Sequence, residues 1–140
     1  MKQLFLEDLK DKTEKEIKEH LISEYAPEDA GEQGIKQIRK QLSKRHILIA
    51  YESVGSWGCD SSAFFLFRDK TSGKLYELHA SHCSCYGFEG QYEPEETTLA
   101  ALKNRIESSY NKSAFSTGGY DENERENVEK VNAFILAMRK

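Results

Sequence analysis

The rhythm of hydrophobic and polar positions changes twice along the chain. From Glu14 the apolar residues Ile17, Leu21 and Tyr25 recur at four-residue steps among Lys and Glu, the spacing of one helix face. Ile35, Ile38 and Leu42 repeat the pattern after the acidic turn Glu28-Asp29-Ala30-Gly31-Glu32. Thr13 and Glu16 form a capping box, in which hydroxyl and carboxylate each take one otherwise unpaired backbone N–H, and Pro27 stops the rod. Helices are therefore expected over 14–25 and 34–44, able to pair as a helical hairpin.

From residue 47 to residue 80, β-branched and aromatic residues replace the Lys/Glu pattern. Ile47–Tyr51, Ser62–Arg68 and Lys74–Ala80 read as strands, the last alternating Leu75, Glu77 and His79 against Tyr76, Leu78 and Ala80. Asp69–Gly73 suits a hairpin turn, and the glycine-bearing stretch Glu52–Asp60 a wide one carrying the sole tryptophan, Trp57. The helical rhythm then returns. Pro94–Thr98 reads as a helix start with an acidic first turn, ahead of Leu99, Leu102 and Ile106. Residues 111–121 have no period and are expected as a loop, mobile unless Phe115 and Tyr120 pin it. Asp121 and Glu124 would cap a last helix with Val128, Val131, Ile135 and Met138 as its core stripe.

The expected fold class is α+β. A single domain over 1–140 would hold an antiparallel sheet of three or more strands, within 46–92. N-terminal helices at 14–25 and 34–44, a central one at 96–108 and a C-terminal one at 122–139 flank it.

Length and composition narrow this further. A chain of 140 residues with fifteen aromatics can bury one sizeable core. The longest apolar runs, Ile47–Tyr51 and Ala63–Phe67, fall far short of the ~20 residues of a membrane span, so no membrane partner is expected. The start, Met1 to Asp8, turns acidic too soon for a secretory signal, and three cysteines cannot all pair; a cytoplasmic protein with reduced thiols is expected. The net charge is -4 and no third of the chain has a basic excess, which argues against nucleic acid as a partner. Lys36, Arg39, Lys40, Lys44 and Arg45 read as a solvated helix face.

Candidate chemistry gathers in residues 78–97, where two of the four histidines and two of the three cysteines lie among aromatics, glycines and carboxylates. Cys59, His82, Cys83 and Cys85 are ligand types for zinc. An extended strand through Cys85, however, would set His79, Cys83 and Cys85 on one face and His82 on the other, with His79 and Cys83 about 13 Å apart. A zinc site would need the chain to bend at Ser81 or Ser84. The same geometry keeps either histidine from serving a cysteine nucleophile, and no catalytic set is assigned. Glu89, Glu93 and Glu96 could surround a cation, act as acid and base, or simply cap a helix and stay solvated.

The remaining reading is recognition. Trp57, Tyr86, Phe88 and Tyr92, with His82, Glu89 and Gln91, sit on turns that Gly87 and Gly90 allow, and such aromatics either anchor a protein partner or close the core over the sheet edge. A small-molecule ligand between sheet and central helix stays open. Asp60–Phe67, Ser81–Gln91 and Glu93–Thr97 resemble wording in small uncharacterised proteins of bacteriophages and bacteria, over about residues 47–106. The resemblance implies a phage- or prophage-derived accessory protein, favours binding to a host or defence component over metabolic catalysis, and assigns no residue a role.

Overall fold

A computed structural model describes residues 2–54, 61–82, 87–108, 113–115 and 122–139. In chain order these form β1 (Leu4–Glu7), α1 (Glu14–Tyr25), α2 (Gly31–Ser43), β2 (Arg45–Ser53), β3 (Ser61–Asp69), β4 (Leu75–His82), β5 (Glu95–Thr97), α3 (Leu99–Glu107) and α4 (Glu122–Ala137). The five strands make one sheet in the order β1-β2-β3-β4-β5. β1 runs parallel to β2, and every other pairing is antiparallel. The fold is α+β, as the sequence pattern predicts.

Helices cover both faces of the sheet. On one face Ile17, Leu21, Ile22 and Tyr25 of α1 and Leu42 of α2 pack with Ile47, Ala50, Ala63, Phe65, Phe67, Leu78 and Ala80. On the other, Leu102 and Ile106 of α3 and Val131 and Ile135 of α4 pack with Leu48, Ile49, Tyr51, Phe64, Leu66 and Leu75, joined by Ala114 and Phe115. The unbroken apolar run Ala63–Phe67 follows from this, because a strand buried on both faces has no solvated side to alternate with. Each fully buried Phe or Leu here contributes about 1.5–3 kcal/mol of apolar transfer.

β2 reaches both cores through a bulge. Its pairing with β3 shifts register between Ile47 and Ile49, leaving Leu48 as the extra residue. Ile47 and Ala50 consequently face α1 and α2, while Leu48 and Ile49 both face α3 and α4.

The helix ends carry the expected chemistry. Thr13 accepts from Glu16 N at 3.1 Å and Glu16 Oε1 from Thr13 N at 2.9 Å, completing the capping box. The hairpin turn after β3 is closed by Asp69, whose Oδ1 accepts from Thr71 N and Ser72 N at 2.9 and 2.8 Å. Two expectations need correction. Pro94–Thr98 does not begin a helix: Glu95–Thr97 add a fifth strand to β4, and α3 begins at Leu99 with Thr98 as its N-cap, accepting from Ala101 N at 3.0 Å. Leu4–Glu7, not expected as a strand, lies beside β2 with Leu6 opposite Tyr51. The expected Asp121 cap and most of the 111–121 loop lie outside the described residues. Phe115 within that loop is buried and stacks on Phe64 with ring centroids 5.0 Å apart.

Candidate functional site

The segment that concentrates the candidate chemistry wraps the outer edge of β4. Alternation along β4 places Glu77 and His79 on the α3 side and Leu78 and Ala80 on the α1 side. Glu77 is 6% exposed, a cost that a carboxylate meets only with partners. Arg105 of α3 supplies a two-pronged one: Nη1 donates to Oε1 at 2.7 Å and Nη2 to Oε2 at 3.0 Å, while Nη1 also donates to Ala114 O at 2.8 Å. His79 Nε2 donates to the same Oε1 at 2.5 Å, and its ring lies 5.0 Å from that of Phe64. Burial alone would raise the Glu77 pKa. Hydrogen bonds from His79, Arg105 and Thr97 outweigh it and hold the carboxyl at about 2.

Beside this cluster lies a recess of about 200 Å³ walled by Glu77, His79, Gly90, Gln91, Glu93 and Glu95. Its outer wall, residues 87–93, is fastened to the body by long-range bonds. Gly90 N donates to Ala26 O at 3.2 Å and Tyr92 N to Tyr25 O at 3.1 Å, which satisfies carbonyls that the end of α1 leaves unpaired. Gln91 Oε1 accepts from Ser81 N at 2.9 Å and its Nε2 donates to Ser81 O at 2.8 Å, so a side-chain amide continues the sheet past β5. Tyr92 donates to Gln41 Oε1 of α2 at 2.5 Å, and burial pushes its phenol up to about 12. Gly90 adopts φ +78°, a left-handed conformation that a side chain disfavours.

A second buried carboxylate, Glu52, lies on the α1 side near the end of β2 and is 4% exposed. The Tyr25 hydroxyl donates to its Oε1, and His20 Nε2 donates to the same atom at 2.8 Å. Bonding to Glu52 raises the His20 pKa against the opposing effect of burial. Burial, reinforced by Glu52, drives the Tyr25 phenol far above its usual range. Tyr25 also stacks face to face on Phe88 at 4.7 Å, and His82 meets Phe88 edge-on at 4.4 Å.

Among the residues singled out from sequence, Phe88 is a core residue, 6% exposed. His82 and His79 lie on opposite faces of β4, as strand alternation requires. Gln91 and Tyr92 hold the wall. Glu89 is exposed, and its Oε1 accepts from Gly87 N at 3.2 Å. Glu89, Glu93 and Glu96 do not converge: Glu96 pairs with Lys74 at 3.8 Å, opposite Tyr76 on the α1 side. The basic helix face is divided, since Arg39 pairs with Glu19 and Arg45 stacks 3.7 Å over the Tyr76 ring. Trp57, Cys59, Cys83, Cys85 and Tyr86 lie outside the described residues.

Among the described residues no three His, Cys, Asp or Glu groups gather as metal ligands, and no helix is long and apolar enough to cross a membrane. Sequence reasoning did not single out Glu52 and Arg105, and it gave Glu77 only a place in the alternation of its strand. A signal was present for Glu52 and Glu77, because a carboxylate inside an apolar strand must find a buried partner. No protein-family model, curated protein or solved structure matches the chain.

Proposed function

We propose that this chain is a small cytoplasmic accessory protein that works by binding another protein, encoded by a phage or prophage and directed at a host or defence component. The observation that carries the reading is the recess on the edge of β4. Its walls are fixed by backbone bonds to α1 and by Gln91, and fixed walls lower the entropic cost of association. Glu93 and Glu95 give it an acidic rim, so the complementary partner surface is basic. The acid–base groups support binding over catalysis, since Glu52 with Tyr25 and His20, and Glu77 with Arg105 and His79, are engaged with one another. Of the residues expected from sequence to bind, Gln91 lines this surface and Glu89 and Tyr92 adjoin it in the same segment, whereas Phe88 lies in the core and His82 on the opposite face of β4; Trp57 and Tyr86 are proposed for it from the sequence alone. The wording shared over residues 47–106 supports the phage origin.

Site-specific photo-crosslinking tests the reading. A photoreactive residue at Glu93 or Glu95 is expected to label one host protein, and the same residue at Lys130 on α4 is expected to label none. Equal labelling from all three positions would remove it.

One observation favours a second reading, a zinc-binding protein using Cys59, His82, Cys83 and Cys85. Ser61 pairs with His82, so the chain two residues beyond Cys59 is tied to the residue directly preceding Cys83. The four ligand types would then supply a closed structural site or, with one position left to water, a hydrolytic one. Elemental analysis of untagged protein decides: this reading expects about one zinc per chain, lost on Cys83→Ser, and metal-free protein ends it.

A further inference from the structure

The outer edge of β4 carries a pair of main-chain groups unmatched among the described residues, and the inference drawn from it deepens the protein-binding reading and rests on it. Both the N–H and the C=O of Ser81 bond to Gln91, and so point away from β3. β4 pairs with β3 without a register break from His82 to Leu75. In a regular antiparallel strand alternate residues turn both main-chain groups to the same side, so those of His79 and Glu77 also face outward. β5 covers Glu77 with Glu95 and ends there; Gln91 covers Ser81. Between them His79 presents one donor and one acceptor that have no partner among the described residues, at the wall of the recess.

We infer that this recess receives a primary carboxamide, the side chain of a glutamine or asparagine on the partner protein. Gln91 supplies the pattern within the same molecule, since one carboxamide satisfies both outward groups of Ser81. His79 offers the same two groups one step along the edge, about 6.7 Å away. A whole partner strand does not fit the opening, because β5 and Gln91 close it on either side and leave a gap one residue wide. A single side chain does. Glu93 and Glu95 flank the gap, and neither is in an ion pair with a described residue, so the partner's carboxamide is flanked by Lys or Arg.

Amide hydrogen exchange on the full chain tests this. In the free protein the His79 amide is expected to exchange at least about tenfold faster than those of Glu77 and Ser81. Millimolar acetyl-Arg-Gln-Arg-amide is expected to slow it several-fold, and acetyl-Arg-Ala-Arg-amide is expected to leave it unchanged. A His79 amide already as protected as Ser81 would overturn the inference, and so would equal slowing by both peptides, which would mean charge alone. Crosslinks from Glu93 and Glu95 to a partner, with no effect of the glutamine peptide on His79, would end the carboxamide assignment while leaving protein binding in place.

Discussion

Glu52 and Glu77 are the two residues on which the polar interior turns, one on each face of the sheet. Glu77 itself and His20, the partner of Glu52, act on stability in opposite directions with pH. Glu77 is held at about 2 in the folded chain against an ordinary 4.5, so its contribution is complete above about pH 4.5 and is lost as the pH falls towards 2. A difference of that size corresponds to about 3 kcal/mol. His20 moves the other way: its folded pKa lies above 6.5, so the bond to Glu52 contributes fully below that pH and fades as the pH rises through the folded value. Urea unfolding between pH 7 and pH 3 is expected to show a steep loss of stability. A Glu77→Gln variant should lose about 2 kcal/mol less over the same range, the rest of the Glu77 contribution being lost only below pH 3. Parallel curves for the two proteins would mean that Arg105 and His79 do not hold the carboxylate ionised.

At the scale of elements, the segment 87–93 acts as a cap on α1 and a wall for the recess at once. The link is Gly90, whose N–H reaches Ala26 from a left-handed backbone. An added Cβ would meet nothing within 4 Å, so Gly90→Ala isolates the conformational cost. A loss of about 1 kcal/mol is expected in urea unfolding, together with faster exchange of the Gly90-side and Tyr92 amides. An unchanged midpoint would show that the wall does not depend on this turn. The glycines of this segment were legible in the sequence as permissive positions, but the helix end they serve lies some sixty residues away. No local pattern encodes that contact. The same limit explains β5, because Glu95-Glu96-Thr97 has the composition of a helix start and becomes a strand only where Leu75–Glu77 offers a free edge.

Across the whole molecule, the α+β class and all four helices were legible from periodicity, and Thr13 and Pro27 set the bounds of α1 because capping and helix termination are local chemistry. β1 was not legible. Three apolar residues at Leu4–Leu6 have no rhythm of their own and are ordered by lying beside β2. The recess was legible as a region and not as a geometry: its residues are close in sequence, yet Arg105 and Gln41, which fix Glu77 and Tyr92, come from α3 and α2.

The irregularity at Leu48 has an evolutionary corollary. Elsewhere in the three long strands, losing one codon would turn every downstream side chain inside out. Excising Leu48 would instead leave a strictly alternating ladder, with Ile47 and Ile49 still directed to their present sides. β2 thus contains a position where the gene can shorten without inverting the protein, at the expense of one leucine from the floor of the cleft that Arg68, Phe134 and Met138 line.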